Sequence, residues 1–380
     1  SVYPSVHTGA IGLALQAGAA AQNLPESQYG MASIKFRWNV SGTYMQVLPR
    51  FISTAADGIG DEQEFLQPYF TDAGTLNSMV FLKGYQWPFD ARKTAGGSSL
   101  IDLLVHIETS LRGRRVFLDF RRDPSGLKFD CLSSEARDYL IRSGALADTP
   151  IERLRRMNPD AIRLYEEHGI HLAVEPLEIA VCAQHNNGGL AGNVWWESTN
   201  IRHLFPLGEV NGSHGVYRPG GAALNSGQVA GFRAAEYIAA HYADHTLNRR
   251  EFTAAAEHEL ARLSARFDRP VPDWRQQREI LQKRMTLAGA HIRSLPLLES
   301  AVIAAWQQYR ELDQAGCDSN HLNDSLEQLR NLQLCFAHAV YLEATAAALS
   351  NGVGSRGSAL VVAPEGKIIH AALGPEWRLI

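Results

Sequence analysis

The last third of the chain has apolar residues at intervals of three and four, the period of a helix with one packed face. Pro270, Pro272 and Pro296 interrupt this pattern, because proline cannot continue a helix from its interior. The pattern therefore predicts a bundle of four helices: Glu251–Phe267, Trp274–Ile292, Leu295–Ala315 and Leu322–Ala348.

Elsewhere apolar and polar residues alternate over short stretches, as they do in half-buried strands. Ser99–Leu111 instead has the pattern of an amphipathic helix. The predicted strands are Ile34–Val40, Val116–Phe120, Ile170–Ala183, Ala359–Ala363 and Lys367–Ala372. Separate strands and a helical region predict the α+β class.

A glycine-dense stretch from His185 to Gly231 separates these regions. It contains HNNGGL, HLFPLGEVNG and SHGVYRPGG, and Gly220-Gly221 then opens an alanine-rich helix predicted at Ala222–His241. A helix start has unpaired N–H groups and partial positive charge, so it suits an anion or an electron-rich ring edge. This stretch is the candidate functional site.

Two polar side chains in this stretch are candidates for holding a substrate. His185 precedes a rigid Gly-Gly turn, and its imidazole could donate to a carboxylate or carbonyl. The guanidinium of Arg218 offers a planar fork for a carboxylate. The alternatives are a turn histidine bonded to backbone and a surface ion pair.

Composition excludes several other classes of function. Hydrophobic content is 45% and charged content 20%, and 36 basic against 40 acidic residues give a net charge of −4. Nothing in these values favours a nucleic-acid partner. The four cysteines form no CxxC pair, and no apolar run reaches the ~20 residues of a membrane span. We therefore expect a cytoplasmic protein with no direct membrane span.

Three motifs in order carry a resemblance to a known family. HNNGGL, then LFPLGE, then YRPGG at a helix start resemble the flavoprotein subunits of succinate dehydrogenase and fumarate reductase, and L-aspartate oxidase. In that family a histidine before a GG turn, an AGE-type strand end and an NRLGG turn recur in this order. The resemblance implies an FAD-dependent oxidoreductase that transfers hydride between flavin and a small carboxylate-bearing substrate.

The resemblance also implies roles for individual residues. His185 and Arg218 would act on the substrate, and Glu209 would accept from hydroxyls of the cofactor. The implied FAD-binding residues are Thr8, Gly9, Gly208, Glu209, Gly220, Gly221, Ala222, Ala223 and Leu224. No metal site is expected.

The implied architecture is a fragment of an α/β FAD-binding domain with an inserted α+β cap domain and a following helical bundle. Residues 1–33 and 171–247 would belong to the FAD-binding domain and residues 34–170 to the cap. Residues 248–350 would form the helical domain, and residues 351–380 would form short C-terminal strands.

The chain departs from the family pattern at several positions. The GxGxxG fingerprint for the FAD pyrophosphate is absent, which implies a fragment or a chain unable to hold FAD alone. The GVGSRG of residues 352–357 follows a helix and precedes a strand, so it is not that fingerprint. Gly30 stands where a substrate-facing histidine is expected. Residues 97–101 lack the cap arginine, for which Arg92 or Lys93 could substitute.

These losses keep a second hypothesis open, a non-catalytic subunit or scaffold that has lost the redox chemistry. The HxxxH of His241 and His245 lacks the glutamate of a zinc protease and favours a solvated helix face. His203, His214 and the Trp195-Trp196 pair show no interpretable partner spacing. An iron–sulfur or other electron-transfer subunit is the implied partner, and no cysteine pattern here binds a cluster.

Overall fold

The computed structural model describes residues 10–242, 246, 248–267, 269–318 and 320–380. These residues form two compact units. The first unit comprises residues 10–27 and 185–354, and the second comprises residues 28–184 and 355–380. The glycine-dense stretch therefore shares a unit with the helical region, and the C-terminal strands belong with the segment expected to be the cap.

The described residues contain both helices and strands. The helices are α1 Ala10–Gln16, α2 Thr43–Gln46, α3 Ala73–Leu82, α4 Ser99–His106, α5 Ser134–Arg142, α6 Pro150–Met157, α7 Pro159–Glu166, α8 Ala222–His241, α9 Arg249–Ser264, α10 Trp274–Arg284, α11 Leu295–Gln314 and α12 Leu322–Ser350. The strands are β1 Ala21–Gln22, β2 Ser27–Ser33, β3 Arg50–Thr54, β4 Arg115–Asp119, β5 Leu177–Asn186, β6 Gly189–Leu190, β7 Ile292–Arg293, β8 Leu360–Ile368 and β9 Arg378–Leu379.

The predicted helices are found close to their expected limits. The helix after Gly221 spans Ala222–His241 as predicted, and α9 to α12 correspond to the four predicted bundle helices. The second of these was predicted too long, because α10 ends at Arg284 and a π-helical turn, Met285–Gly289, follows it. Helical periodicity is a strong signal because it extends over many residues.

Two predicted strands are wrong. The segment 34–40 is a reversal, since the Ser33 amide donates to the Trp38 carbonyl at 2.9 Å, and the strand lies before it as β2. In the tail, β8 continues to Ile368, and its short partner is β9 rather than Lys367–Ala372. The predicted helix at Ser99–Leu111 is found as α4 followed by a π-helical turn, Ile107–Leu111, but all eight residues of α4 are buried, so it has no solvent-exposed face.

In the first unit, α11 and α12 pack along their lengths through small side chains. Ala301 and Ala305 face Ala339 and Leu342 in a buried cluster. By length and composition α12 could cross a membrane, although 39% of its most apolar window is buried inside the structure. Its contacts with α1, α10 and α11 make it the central helix of this unit.

The second unit is built on a four-stranded sheet with the order β2-β5-β4-β3. Strand β4 is antiparallel to both neighbours, with Ile52 opposite Phe117 and Leu118 opposite Leu177. The fully buried Lys83 lies 2.8 Å from Asp102 on α4. This mixture of helices and antiparallel strands agrees with the predicted α+β class.

Candidate functional site

The Gly-Gly pair of HNNGGL serves backbone packing within the first unit. A Cβ on Gly188 would lie 1.9 Å from the Asn23 carbonyl oxygen, and one on Gly189 would lie 2.2 Å from the Val210 carbonyl oxygen. The short pair β1–β6 is antiparallel, with Ala21 opposite Leu190. The two glycines therefore hold β6 against its neighbours, and this packing fixes where His185 begins the turn.

Glu209 follows a position whose backbone conformation favours glycine. Gly208 is buried in the left-handed region, φ +71°, and a Cβ there would make an ordinary van der Waals contact with the Gly227 backbone of α8 at 3.4 Å. The structure thus places Gly208 beside α8. Glu209 follows in a one-turn 3₁₀ helix, Gly208–Val210, and its side chain is 53% exposed.

His185 is buried beside this carboxylate. Its side chain is 1% exposed, and its Nε2 lies 3.6 Å from Glu209 Oε1, beyond hydrogen-bond length. Its Nδ1 lies 3.0 Å from the Oδ1 of Asn187. Burial, with the positive charge of Arg218 and the nearby His214, lowers the pKa of His185 to about 4. The imidazole is therefore neutral at pH 7.

The neutral imidazole has one N–H, and Asn187 determines which nitrogen carries it. The Nδ2 of Asn187 donates to the Val216 carbonyl, so its Oδ1 is the atom presented to His185. An amide oxygen only accepts, so the proton is on Nδ1 and Nε2 is an acceptor. Nε2 is buried without a hydrogen-bond partner. This is the reverse of the predicted role, in which His185 donates to the substrate.

His214 is a member of the site that sequence reasoning missed. Its ring contacts that of His185 edge to face, with centroids 4.7 Å apart. Its Nε2 lies 3.1 Å from Ser226 Oγ on α8, which links the ring to the helix. Its only sequence signal was its place four residues before Arg218, in the same SHGVYRPGG segment.

Arg218 lies at the approach to α8. Its Nη1 donates to the Pro219 carbonyl at 3.0 Å, and burial lowers its pKa, opposed by the negative charge of Glu209. The guanidinium is half-buried and close enough to His185 to affect its titration. The structure therefore brings together His185, Glu209 and Arg218, as the sequence predicted, and adds His214.

The start of α8 is open. Gly221 is its N-cap in the left-handed conformation, φ +79°, and no side chain caps the helix. Nothing lies within 4 Å of a Cβ built on Gly220 or Gly221. The remaining predicted contacts follow: Ala222 and Ala223 are half-buried, and Leu224 is 80% exposed. An uncapped, accessible N-terminus fits the electron-rich edge of a flavin ring.

Some predictions fall outside this cluster. Thr8, Gly9 and His245 lie outside the described residues. Among the described residues, no group of three or more His, Cys, Asp or Glu could hold a metal ion. In the second unit Arg92 is held by Asp90, with Nη2 at 2.9 Å and Nε at 3.2 Å from its carboxylate oxygens.

Comparison with known proteins finds similarity both to a curated protein and to solved structures. A fumarate reductase (CoM/CoB) subunit of Methanothermobacter marburgensis is 35% identical over 135 residues, which are 35% of this chain and 24% of that protein. The FrdA chain of E. coli quinol fumarate reductase superposes on 93% of this chain, with a TM-score of 0.61 and 17% identity. Mycobacterium smegmatis Sdh1 does so with a TM-score of 0.62 and 17% identity.

The chain spans about half of the solved structures, 55% of the E. coli chain and 52% of the M. smegmatis chain. It spans about a quarter of the curated relative. No protein-family profile matches the chain.

Proposed function

The resemblance to the flavoprotein subunits of fumarate reductase and succinate dehydrogenase is confirmed, and from it we propose that this chain is part of an FAD-dependent oxidoreductase. The first unit carries the cofactor-binding and substrate-binding groups, and the second unit is the cap segment. The substrate is a small molecule with a carboxylate group.

The observation that supports this proposal best is the cluster formed by His185, Glu209 and Arg218 beside the open start of α8. A guanidinium, a neutral imidazole and a carboxylate lie next to backbone N–H groups that no side chain caps. Arg218 would bind a carboxylate through its fork of donors. The helix start would meet the part of the flavin that gathers negative charge on reduction.

The residues present fit FAD at two places. The open surroundings of Gly220 and Gly221 leave room for a ring edge. The half-exposed carboxylate of Glu209 can accept from sugar hydroxyls. When bound, FAD supplies the hydride donor or acceptor. The work of this chain's residues is to bind and orient the substrate, with Arg218 fixing its carboxylate and His185 its neighbouring group.

An electron-transfer partner is part of the proposal. The proteins that the chain resembles include one component of a CoM/CoB fumarate reductase and one of a quinol fumarate reductase. The four cysteines of this chain are far apart in the sequence and free in the structure. By analogy with these multi-component reductases, we expect a second polypeptide to carry the electrons to or from the flavin.

Measuring flavin binding by the full-length protein tests this function. We expect the purified protein to show flavin absorbance, and Gly220→Leu to weaken FAD binding because its side chain would occupy the open space. Gly231→Leu is the matched control, since Gly231 also has nothing within 4 Å and lies further along α8.

A colourless protein that does not take up added FAD would contradict the proposal and favour the scaffold hypothesis. Equal FAD affinity of the Gly220→Leu and Gly231→Leu variants would show that the start of α8 does not contact FAD.

A further inference from the structure

The site contains two acceptors that face each other without a proton between them. His185 Nε2 is buried and has no hydrogen-bond partner, and Glu209 Oε1 is 3.6 Å away. A lone pair and a carboxylate at this distance repel unless a donor reaches them. A buried acceptor without a partner carries a free-energy cost that a suitable ligand group removes.

Rotation of the imidazole does not remove this mismatch. The Nδ1 proton is held by Asn187 Oδ1 at 3.0 Å. Asn187 is itself buried and fixed, because its amide N–H donates to the Glu26 carbonyl and its Nδ2 to the Val216 carbonyl. Asn187 is therefore a positioning residue that keeps Nε2 in its acceptor state.

His185 Nε2 and Glu209 Oε1 are 3.6 Å apart. A third atom can therefore lie about 2.8 Å from each of them, which is an ordinary hydrogen-bond length. The Glu209 side chain is 53% exposed and can rotate to admit such an atom. A hydroxyl has one proton to offer, and an ammonium has three. Either group would satisfy Nε2.

From this geometry, and resting on the proposed function, we infer that the substrate carries a hydroxyl or amino group beside its carboxylate. Arg218 binds the carboxylate, and the donor group sits between His185 Nε2 and Glu209 Oε1, which leaves Glu209 Oε2 to accept from the sugar hydroxyls of the cofactor. The site thus selects hydroxy or amino carboxylates over unsubstituted ones. Selection of this kind is strong, because a ligand without the donor leaves a buried acceptor unpaired.

Three probes of matched skeleton test the inference in the flavin-loaded protein: succinate, malate and aspartate. We expect malate or aspartate to bind at least about tenfold more tightly than succinate, which corresponds to ~1.4 kcal/mol. In Glu209→Gln and Asn187→Leu this preference should fall, while Glu257→Gln, an exposed residue of α9, should retain it.

The tautomer of His185 gives a second measurement that does not depend on flavin. Ring nitrogen chemical shifts should show the proton on Nδ1 in the unliganded protein, and Asn187→Leu should lose that preference while Asn187→Asp retains it. These shifts and the binding of the three probes can be measured with or without cofactor. A failed flavin assay is therefore distinguishable from failure of this inference.

Several results would overturn the inference: succinate binding as tightly as malate and aspartate, none of the three probes binding, or a proton found on Nε2. If Glu209→Gln weakened FAD binding but left the preference among the probes unchanged, the donor would be a hydroxyl of the cofactor. That result too would overturn the assignment to the substrate.

Discussion

The rings of His185 and His214 meet edge to face, with centroids 4.7 Å apart and planes at 73°. This contact joins the HNNGGL turn to the segment that leads into α8, and His214 continues it to Ser226 on the helix. One histidine is thus held by Asn187 and the other by α8. The contact places His185, the predicted substrate residue, beside the segment that leads to the predicted cofactor residues at the start of α8.

The charge state of His185 gives a pH prediction. Burial and the nearby Arg218 and His214 lower its pKa to about 4, whereas in the unfolded chain it is ~6.5. Between these values the unfolded chain binds a proton that the folded chain does not. The free energy of unfolding should therefore fall as pH drops from about 6.5 to 4, by up to ~1.4 kcal/mol per pH unit.

The measurement is urea unfolding at a series of pH values. The buried His106 and His338 have pKa values lowered to about 4 and about 3 and contribute with the same sign. The contribution of His185 is the difference between the wild type and His185→Leu in the slope of the free energy of unfolding against pH. An unchanged slope in His185→Leu would contradict the prediction.

Arg218 should determine carboxylate affinity without holding the cofactor. A charge-assisted hydrogen bond contributes ~1.5–3 kcal/mol, so Arg218→Gln should weaken binding of succinate, malate and aspartate alike by roughly 10- to 150-fold. Titration calorimetry on the flavin-loaded protein measures this. Flavin content should not change, and Arg249→Gln on α9 serves as the control for loss of one positive charge. Loss of FAD in the Arg218 variant would show that this residue binds the cofactor and not only the substrate.

Removing one partner of the buried ion pair of the second unit should destabilise the protein strongly, whereas replacing both partners with apolar residues should change its stability little. Lys83 and Asp102 are both fully buried at 2.8 Å, and burial lowers the pKa of Lys83 and raises that of Asp102. Lys83→Met leaves a buried carboxyl unpaired and should lower the free energy of unfolding by ~3–5 kcal/mol. Lys83→Met combined with Asp102→Leu should recover most of this loss.

Chemical unfolding of the three proteins tests the prediction, with Lys93→Met as the control on a partly exposed lysine. A single Lys83 variant as stable as the wild type would show that the pair contributes nothing to the second unit.

The glycine of the HNNGGL turn should be intolerant of any side chain. A Cβ on Gly188 would lie 1.9 Å from a backbone oxygen of Asn23, and neither backbone can yield without disturbing the β1–β6 pair. Gly188→Ala should therefore lower the unfolding free energy by ~1–3 kcal/mol or more. It should also weaken binding of malate and aspartate, because the turn sets the position of His185.

Thermal unfolding measures the loss of stability, and titration calorimetry of malate and aspartate measures the loss of binding. Gly231→Ala, where nothing lies within 4 Å of the new Cβ, should be neutral or slightly stabilising since it sits within α8. Comparable behaviour of the two variants would show that the turn is not closely packed.

Much of the helical region could be predicted from the sequence. The limits of α8 and α11 follow from a glycine N-cap, a proline at the first turn and long apolar periodicity. The strands were harder, and the segment 34–40 shows why. Its alternation of apolar and polar residues is typical of a strand. The hydrogen bond from the Ser33 amide to the Trp38 carbonyl instead reverses the chain, and the local sequence pattern does not predict this reversal.

The sequence alone selected His185, Glu209 and Arg218 as candidate site residues, because they stand in motifs whose order is informative without coordinates. It also determined where α8 begins, because Gly220-Gly221 before an alanine-rich segment is a local signal. Only the tertiary structure decided that His214 contacts His185 and that Asn187 fixes the histidine proton on Nδ1. It also decided that the Gly-Gly turn packs against Asn23 and Val210. Motifs record which side chains are present, whereas the direction of a hydrogen bond depends on atoms that distant parts of the chain bring into contact.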